Sequence, residues 1–308
     1  MRPDLGAGAS SRILLERDTL WPLTLERTAR AARSGALVTL PTTWEVIEDA
    51  GAPFVVRTLQ TADAVHEAMR GQRASRHNPF LPYEEDLFVA DVSDTHVCLL
   101  NKFNALEHHL LLVTREFESQ EALLTRADFE ALWACMREVD ALAFYNAGEI
   151  AGASQSHRHL QLVPVPLGPG LRRAPIEALL EDAHFDGHVG RAARLPVLHA
   201  YARMRSTAAQ SPADAAERLF ALYREMARAF GCDAAGRPYN LLLTREWMLF
   251  VPRAAEKWEG ISVNALGFAG SLLVRAPEQL ERLRRAGPLA ALRAVGIASG
   301  SARASSLS

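Results

Sequence analysis

The residues best suited to chemistry stand in the stretch "NAGEIAGASQSHRHLQLVPVP", Asn146 to Pro166. His157, His159 and Gln161 alternate there, straight after a loop of glycine, alanine and serine. On a strand, positions i, i+2 and i+4 share a face, so two imidazoles and an amide look one way while Leu160, Leu162 and Pro164 look into a core. Such a face admits three readings. It can be an exposed strand face with no task. It can be a metal site, since two histidines at i, i+2 suit zinc, iron or manganese; Gln161 is a poor ligand, so a third would have to be recruited from Asp91, Asp94 or Glu107. It can be a nucleophilic site, because neutral imidazole, with an ordinary pKa of about 6.5, attacks phosphorus and splits one transfer into two steps. The loop "GASQS" then brings the donors that step needs. Gly152 lets backbone N–H groups close on phosphate oxygens, and Ser154, Gln155, Ser156 and Gln161 add hydroxyls and amides without a metal.

These side chains require a sheet, and the flanking sequence predicts one. "WEVIED" and "PFVVRTL" read as strands joined by a hairpin at "AGAP", and "THVCLLNKF" and "HHLLLVT" as two more joined by "NALE". "GQRASRHNPFLPYEED" has no period and reads as a loop. A helix is predicted from Thr125, with Thr125 and Asp128 at capping-box spacing. Its buried face would be Phe129, Leu132, Trp133, Met136, Val139 and Leu142, and Asn146 to Gly148 would stop it. Another helical pattern runs from Arg12 to Arg33, interrupted at Pro22. In the second half, Ser211, Pro212 and Gly231 bracket a helix. "YNLLLT" and "WMLFVPR" form a hairpin around Arg245-Glu246, and a closing helix breaks near Gly287-Pro288. "SVNALGFAGSLLVR" gets no assignment. Strands, hairpins and helices are mixed, so the class is α+β.

Composition narrows the function. The chain has 308 residues, 49% hydrophobic and 23% charged, with a net charge of −2. No global field draws it to nucleic acid or to a membrane, and no apolar run is long enough for a span. Cys98, Cys135 and Cys232 are scattered and form no Cys-x-x-Cys pair, which removes zinc ribbons and thioredoxin-like sites. A sparse, odd cysteine count and the lack of a signal-peptide pattern lead to the expectation of a cytoplasmic protein. Lys102 and Lys257 are the only lysines. Lys102 lies in the apolar segment "LLNKFN", where a buried ammonium would need an anion or a carboxylate such as Glu107. His77, His108, His184, His188 and His199 read as surface residues, and Trp247 and Trp258 as packing.

Three segments together carry a resemblance. "NPFLPYEEDLFVADVSDTHVCLLNKFNALEHHLLLVTREFE", "FYNAGEIAGASQSHRHLQLVP" and "PYNLLLTREWMLFVPRAAEKWEGISVNALGFAGSLLVR" resemble the ATP adenylyltransferases, or diadenosine tetraphosphate phosphorylases, of the histidine-triad superfamily. The likeness runs from about Trp44 to Gly296. It implies a histidine-triad-like antiparallel-rich sheet flanked by helices. Residues 12–170 would form the catalytic region and 171–298 a C-terminal region packed on it as one body, with flexible ends at 1–11 and 299–308.

The resemblance also implies roles. His159, the middle position, would take AMP, and His157 would orient the site. Gln161 stands where hydrolases of the superfamily carry a third histidine, which implies transfer to phosphate rather than to water. Asn146 and Ser154 match the phosphate-contacting asparagine and serine, Gly152 the loop glycine, His109 the histidine of the first motif strand, and Asn101 the polar residue facing ribose. Lys102 would reach the distal phosphates. Relatives often carry a basic residue after the strand "FVVRTLQ"; this chain has no lysine there, and Arg57 or Arg73 would have to compensate. The implied reaction is reversible phosphorolysis of diadenosine tetraphosphate to ATP and ADP. The partners are nucleotides and phosphate, no cofactor is required by the motif, and Mg2+ is admissible as a companion of the nucleotide. The alternatives are a hexose-1-phosphate uridylyltransferase-like enzyme, against which the missing cysteine pairs speak, and a non-catalytic nucleotide sensor.

Overall fold

The computed structural model describes residues 11–60, 78–171, 173–204 and 209–299. In chain order the elements are α1 (Leu20–Ser34), the hairpin β1 (Thr42–Asp49) and β2 (Ala52–Leu59), β3 (Phe88–Asp91), β4 (His96–Leu100), β5 (Leu110–Thr114), α2 (Arg126–Met136), β6 (Ala141–Asn146) and β7 (His159–Pro164). There follow β8 (His184–Asp186), β9 (Val189–Arg191), β10 (Ala200–Arg203), α3 (Pro212–Ala229), β11 (Tyr239–Leu243), β12 (Trp247–Pro252), β13 (Ser271–Val274), α4 (Pro277–Ala286) and α5 (Pro288–Val295). One antiparallel sheet of ten strands runs in the order β8-β9-β10-β12-β11-β6-β7-β5-β4-β3. A small sheet, β13-β2-β1, lies apart from it. The class is α+β, as expected.

Period-two alternation divides the large sheet into two faces. Leu110, Leu112, Ala141, Ala143, Tyr145, Leu160, Leu162, Leu241 and Leu243 look back into one core with α1, α2 and α3. Leu142, Phe144, Val163, Leu242 and Leu249 look forward into a second core with β2, β13, α4 and α5. Val97, Leu99, Leu111 and Val113 form a third patch at the other end of the front face. Between the two forward patches the front face is polar, and the site lies there.

Local rules account for much of this. Ala50 and Gly51 both take positive φ, 50° and 80°, which suits the two-residue turn of a right-twisting hairpin. Thr125 and Asp128 close the capping box of α2, Ser211 caps α3 with Pro212 in its first turn, and Gly287 separates α4 from α5. Pro22 does not interrupt a helix: α1 begins at Leu20, so Pro22 sits in its first turn, where a missing N–H costs nothing. The unassigned glycine-containing segment becomes a four-residue helical turn, Ala265–Phe268, followed by β13.

The helix predicted to run to Asn146 ends at Met136, and Ala141–Asn146 is a strand. All six residues of β6 are buried, so the alternation that marks a half-exposed strand is absent, and Val139 and Leu142 continue the helical spacing by coincidence. Asn146 therefore ends a strand instead of capping a helix. His199 is also not a surface residue. It is buried, its Nδ1 2.8 Å from the Val197 carbonyl and its Nε2 2.9 Å from the Ala192 amide, where the ring satisfies two backbone groups. His108 is half-buried against Trp21, while His184 and His188 are exposed. His77, Arg73 and most of both chain ends fall outside the described residues. Ser11, the last of the expected frayed N-terminus, is tied down by Glu130 and Asp94. Among the described residues no helix is long and apolar enough to cross a membrane.

Behind β7 and the residues that lead into it lies a buried ionic cluster. Arg158, between the two histidines, points backward and bonds Asp128 of α2 at 3.1 Å, with Glu118 as a second partner. Asp128 also meets His96 Nε2 at 3.1 Å. Burial pushes the Asp128 carboxyl up, but the His96 bond and the Arg158 charge outweigh it and hold it below its ordinary 3.8. Ionised Asp128 thus stabilises the fold above the ordinary carboxylate range, and that contribution is lost as pH falls through its depressed folded value. Asp128→Asn is expected to cost about 3 kcal/mol at neutral pH by removing the buried one of the two carboxylates that pair with Arg158, together with the His96 partner. The gap to the parent protein should close below pH 3.8. Urea unfolding across pH checks it, and a gap that stays constant into acid contradicts it.

Candidate active site

The polar strip on the front face is the floor of a cleft of about 660 Å³. Asn101, His109, Asn146, His159 and Gln161 lie along it, and Leu40, Phe80, Leu99, Phe103 and Leu266 make apolar walls. Alternation on four strands aims these side chains at one place. Val113 pairs with His159 and Leu111 with Gln161, so His109, two residues before Leu111, shares their face. Asn146 pairs with Asn240 on the other side.

His159 is fixed in one tautomer. Its Nδ1 lies 2.8 Å from the His157 carbonyl oxygen, which can only accept. Nδ1 therefore carries the hydrogen and Nε2 keeps its lone pair. Burial lowers the ring's pKa to about 4, against which the His157 carbonyl pulls upward. The imidazole is neutral at physiological pH and available as a nucleophile.

His157 acts differently from its neighbour. Its ring does not line the cleft. It is wedged between Phe80 and Phe117 at centroid distances of 5.6 and 5.5 Å. Nε2 lies 2.9 Å from the Thr114 carbonyl, and Nδ1 2.9 Å from Asn78 Nδ2. The useful atom of His157 is its backbone carbonyl; the residue positions His159 and does not face a reactant.

Gln161 and His109 form a pair, with His109 Nε2 2.9 Å from Gln161 Oε1. Asn101 Nδ2 lies 3.2 Å from His109 Nδ1. Nδ1 thus accepts and Nε2–H donates, so Gln161 turns its oxygen to His109 and leaves its NH2 as the donor for the cleft. Burial lowers His109 to about 4 as well, so no charged imidazole competes there.

Gln120 was missed from the sequence. Strands β6 and β7 pair through Phe144 and Gln161. Two residues on, where Asn146 would face His159, the Gln120 amide takes the place of the backbone bonds. Its Oε1 accepts from His159 N at 2.8 Å, and its Nε2 donates to the carbonyls of Asn146 at 2.8 Å and His159 at 3.2 Å. Asn240 and Arg253 were missed as well. Asn240 Nδ2 donates to Asn146 Oδ1 at 2.8 Å and accepts through Oδ1 from Arg253 at 2.5 Å. A signal did exist for both: an amide inside the apolar strand "YNLLL", and an arginine closing the apolar strand "WMLFVPR".

The loop residues divide. Gly152 has φ 93°, and a Cβ there would meet Asn264 Cβ at 2.7 Å, so only glycine fits. Gly152, Ser154 and Gln155 line the cleft, whereas Ser156 does not. Ser156 is exposed, and its carbonyl accepts from Gln120 N at 2.8 Å. Lys102 is not buried without a partner. It lies past the end of β4 with its side chain 34% exposed, 2.6 Å from Glu84 rather than Glu107, and both flank the cleft. Asp91 and Asp94 are engaged by Arg115 and Ser11, and among the described residues no three His, Cys, Asp or Glu side chains gather for a metal.

The sequence profile of the Ap4A phosphorylase N-terminal domain matches residues 10–182, more than half of the chain. The chain belongs to the Ap4A phosphorylase family. The profile of the ATP adenylyltransferase C-terminal domain matches residues 193–298. Diadenosine 5',5'''-P1,P4-tetraphosphate phosphorylase 2 of Saccharomyces cerevisiae is 26% identical over 246 residues, covering 70% of this chain and 74% of that protein. Protein APA1 of the same yeast is 25% identical, covering 71% and 75%. The crystal structure of yeast Ap4A phosphorylase Apa2 with Ap4A shares the fold, with a TM-score of 0.77 at 22% identity, covering 92% of this chain and 99% of that one. The ten-stranded sheet runs without interruption through both matched regions, since β6 of the first pairs with β11 of the second.

The tautomer and low pKa of His159 give a testable signature. Its folded pKa lies below the ordinary 6.5, so the folded state resists protonation, and stability falls as pH drops from 6.5 towards about 4. Nitrogen NMR should show the Nδ1-protonated neutral ring down to about pH 4. A midpoint near 6.5 contradicts the assignment.

Proposed function

We propose that this family member catalyses reversible phosphorolysis of diadenosine tetraphosphate to ATP and ADP through an AMP–His159 intermediate. The observation that carries it is His159 Nε2, a lone pair held facing a cleft by the Nδ1–H bond to the His157 carbonyl. In the first step Nε2 attacks the α-phosphorus. The P–N bond forms, the bond to the bridging oxygen of the β-phosphate breaks, and ATP leaves with that electron pair. The ring becomes cationic, and the His157 carbonyl already accepts from the nitrogen where the charge develops. Phosphate then attacks the phosphorus, the P–N electrons return to Nε2, and ADP departs. No proton has to move to or from His159.

Charge on the phosphoryl oxygens is met by donors set in advance, the NH2 groups of Gln161 and Asn146 and the loop at Gly152 and Ser154. The apolar walls suit a base and sugar, with Asn101 near the ribose. An adjoining recess of about 190 Å³, lined by Arg57, Lys257 and Arg275, gives the later phosphates a cationic wall, with Lys102 at the cleft edge. Mg2+ can accompany the polyphosphate as its counterion. Gln161 has no titratable proton, so it offers water no general base, and this favours phosphate as the acceptor.

His159→Ala should stay folded and lose turnover by roughly three orders of magnitude or more. Protein incubated with labelled dinucleotide should carry an acid-labile, base-stable AMP adduct that persists in buffer and discharges to ADP with phosphate. Gln161→His should speed discharge to AMP in buffer. Equal discharge with and without phosphate in the parent protein would show a hydrolase, and normal rates in His159→Ala would remove the nucleophile.

A further inference from the structure

Arg253 is a buried cation that forms no ion pair among the described residues. It is 3% exposed, and among the described residues no carboxylate lies within ion-pair distance. Its donors go instead to neutral oxygens. Nε bonds Val295 O at 3.2 Å. One terminal nitrogen bonds Ala151 O at 3.1 Å and Asn240 Oδ1 at 2.5 Å, and the other bonds Ala255 O at 2.7 Å and Val263 O at 2.8 Å. Burial lowers its pKa to about 10, with Glu256 pulling it upward through space, so it stays charged at neutral pH. An uncompensated guanidinium is a costly thing to bury, and its bonding pattern points to a use.

The pattern sets two amides in series. Arg253 can only donate, so Asn240 must show it Oδ1. Ala151 O can only accept, so Asn240 must show it Nδ2, at 2.9 Å. The second hydrogen of that Nδ2 goes to Asn146 Oδ1, which also accepts from Ala265 N at 2.9 Å. With its oxygen fixed between two donors, Asn146 must turn Nδ2 elsewhere. That nitrogen has no partner among the described residues, and Asn146, 1% exposed, lines the cleft beside His159.

We propose that Arg253 and Asn240 are positioning residues that lock the Asn146 amide as a donor and carry the Arg253 charge through it to the anionic group held beside His159. Each bond in the series polarises the next by roughly 10–30%, and the bond from the locked Asn146 NH2 to an anion is itself charge-assisted through the anion. The same series keeps the Asn146 oxygen, which would repel phosphate, out of the cleft. The proposal rests on the nucleotide reading above and adds to it what makes the asparagine selective for charge.

The test compares AMP with adenosine by calorimetry on the full chain, parent and Asn240→Asp. The substituted carboxylate keeps a partner for Arg253 and neutralises it, but has no hydrogen for Asn146 Oδ1. AMP should weaken roughly ten- to a hundredfold. Adenosine should hold within about twofold, and the variant should stay folded, since the counterion gained by Arg253 offsets the repulsion of the second carboxylate oxygen by Ala151 O and Asn146 Oδ1. Asn240→Leu, which has the same shape without hydrogen bonds, guards against a folding failure of the first variant and should show the same AMP-specific loss. Unchanged AMP affinity in a folded variant, or equal losses for AMP and adenosine, overturns the proposal. A parent protein that binds AMP no better than adenosine would instead defeat the nucleotide reading on which it rests.

Discussion

Two strands that pair and then part make the floor of the cleft. Up to Phe144 and Gln161, β6 and β7 share an ordinary antiparallel ladder. Beyond that pair the backbones separate, and buried N–H and C=O groups would be stranded if nothing filled the gap. Gln120 fills it. Its amide takes one donor and two acceptors from the parted strands, its own N–H goes to Ser156 O, and its carbonyl receives the Tyr145 hydroxyl. The gap lets Asn146 and His159 stand apart with room between their side chains, and the loop from Ala147 to Arg158 leaves and returns there. His157 gains a carbonyl free of the ladder, and that carbonyl holds the His159 tautomer.

The two faces of β7 have opposite electrostatics. In front the imidazoles of His109 and His159 are neutral because burial depresses them. Behind, Arg158 is sandwiched between Asp128 and Glu118 and braced by a bond to Leu123 O. Arg158 thus anchors the strand to α2 from behind. The front face of β7 presents an uncharged ring and an amide to the cleft.

Much of this was legible in the sequence. The alternation at His157, His159 and Gln161 places His159 and Gln161 on one face, and the strands around His109 and Asn101 follow the same rule. Hairpins at Ala50-Gly51 and Arg245-Glu246, the capping box and the Gly287 break are local and were readable locally. β6 was not readable, because a strand buried on both faces carries no period, and its neighbours happened to continue the spacing of α2. Gln120, Asn240 and Arg253 were invisible for another reason. Each acts through groups far along the chain, with Gln120 spanning to Asn146 and His159 and Arg253 reaching back 102 positions to Ala151. Single-chain spacing holds no record of which distant carbonyl an arginine will find. Lys102 shows the converse, where a local pattern predicted burial and a carboxylate 18 positions upstream drew the ammonium outward instead.

The bond from Ala265 N to Asn146 Oδ1 spans 119 positions, and the close contact of Gly152 with Asn264 spans nearly as many. During synthesis on a ribosome, the histidine strand emerges long before either partner. Until Ala265 has left the exit tunnel, Asn146 lacks one of the two donors that fix its amide, and the loop at Gly152 has nothing to rest on. A truncated product would therefore expose the His159 strand with the Asn146 amide unset and the Gly152 loop unsupported. The wiring makes a finished cleft a property of a chain that already extends past Ala265, so that interrupted translation yields fragments in which the cleft is not yet closed.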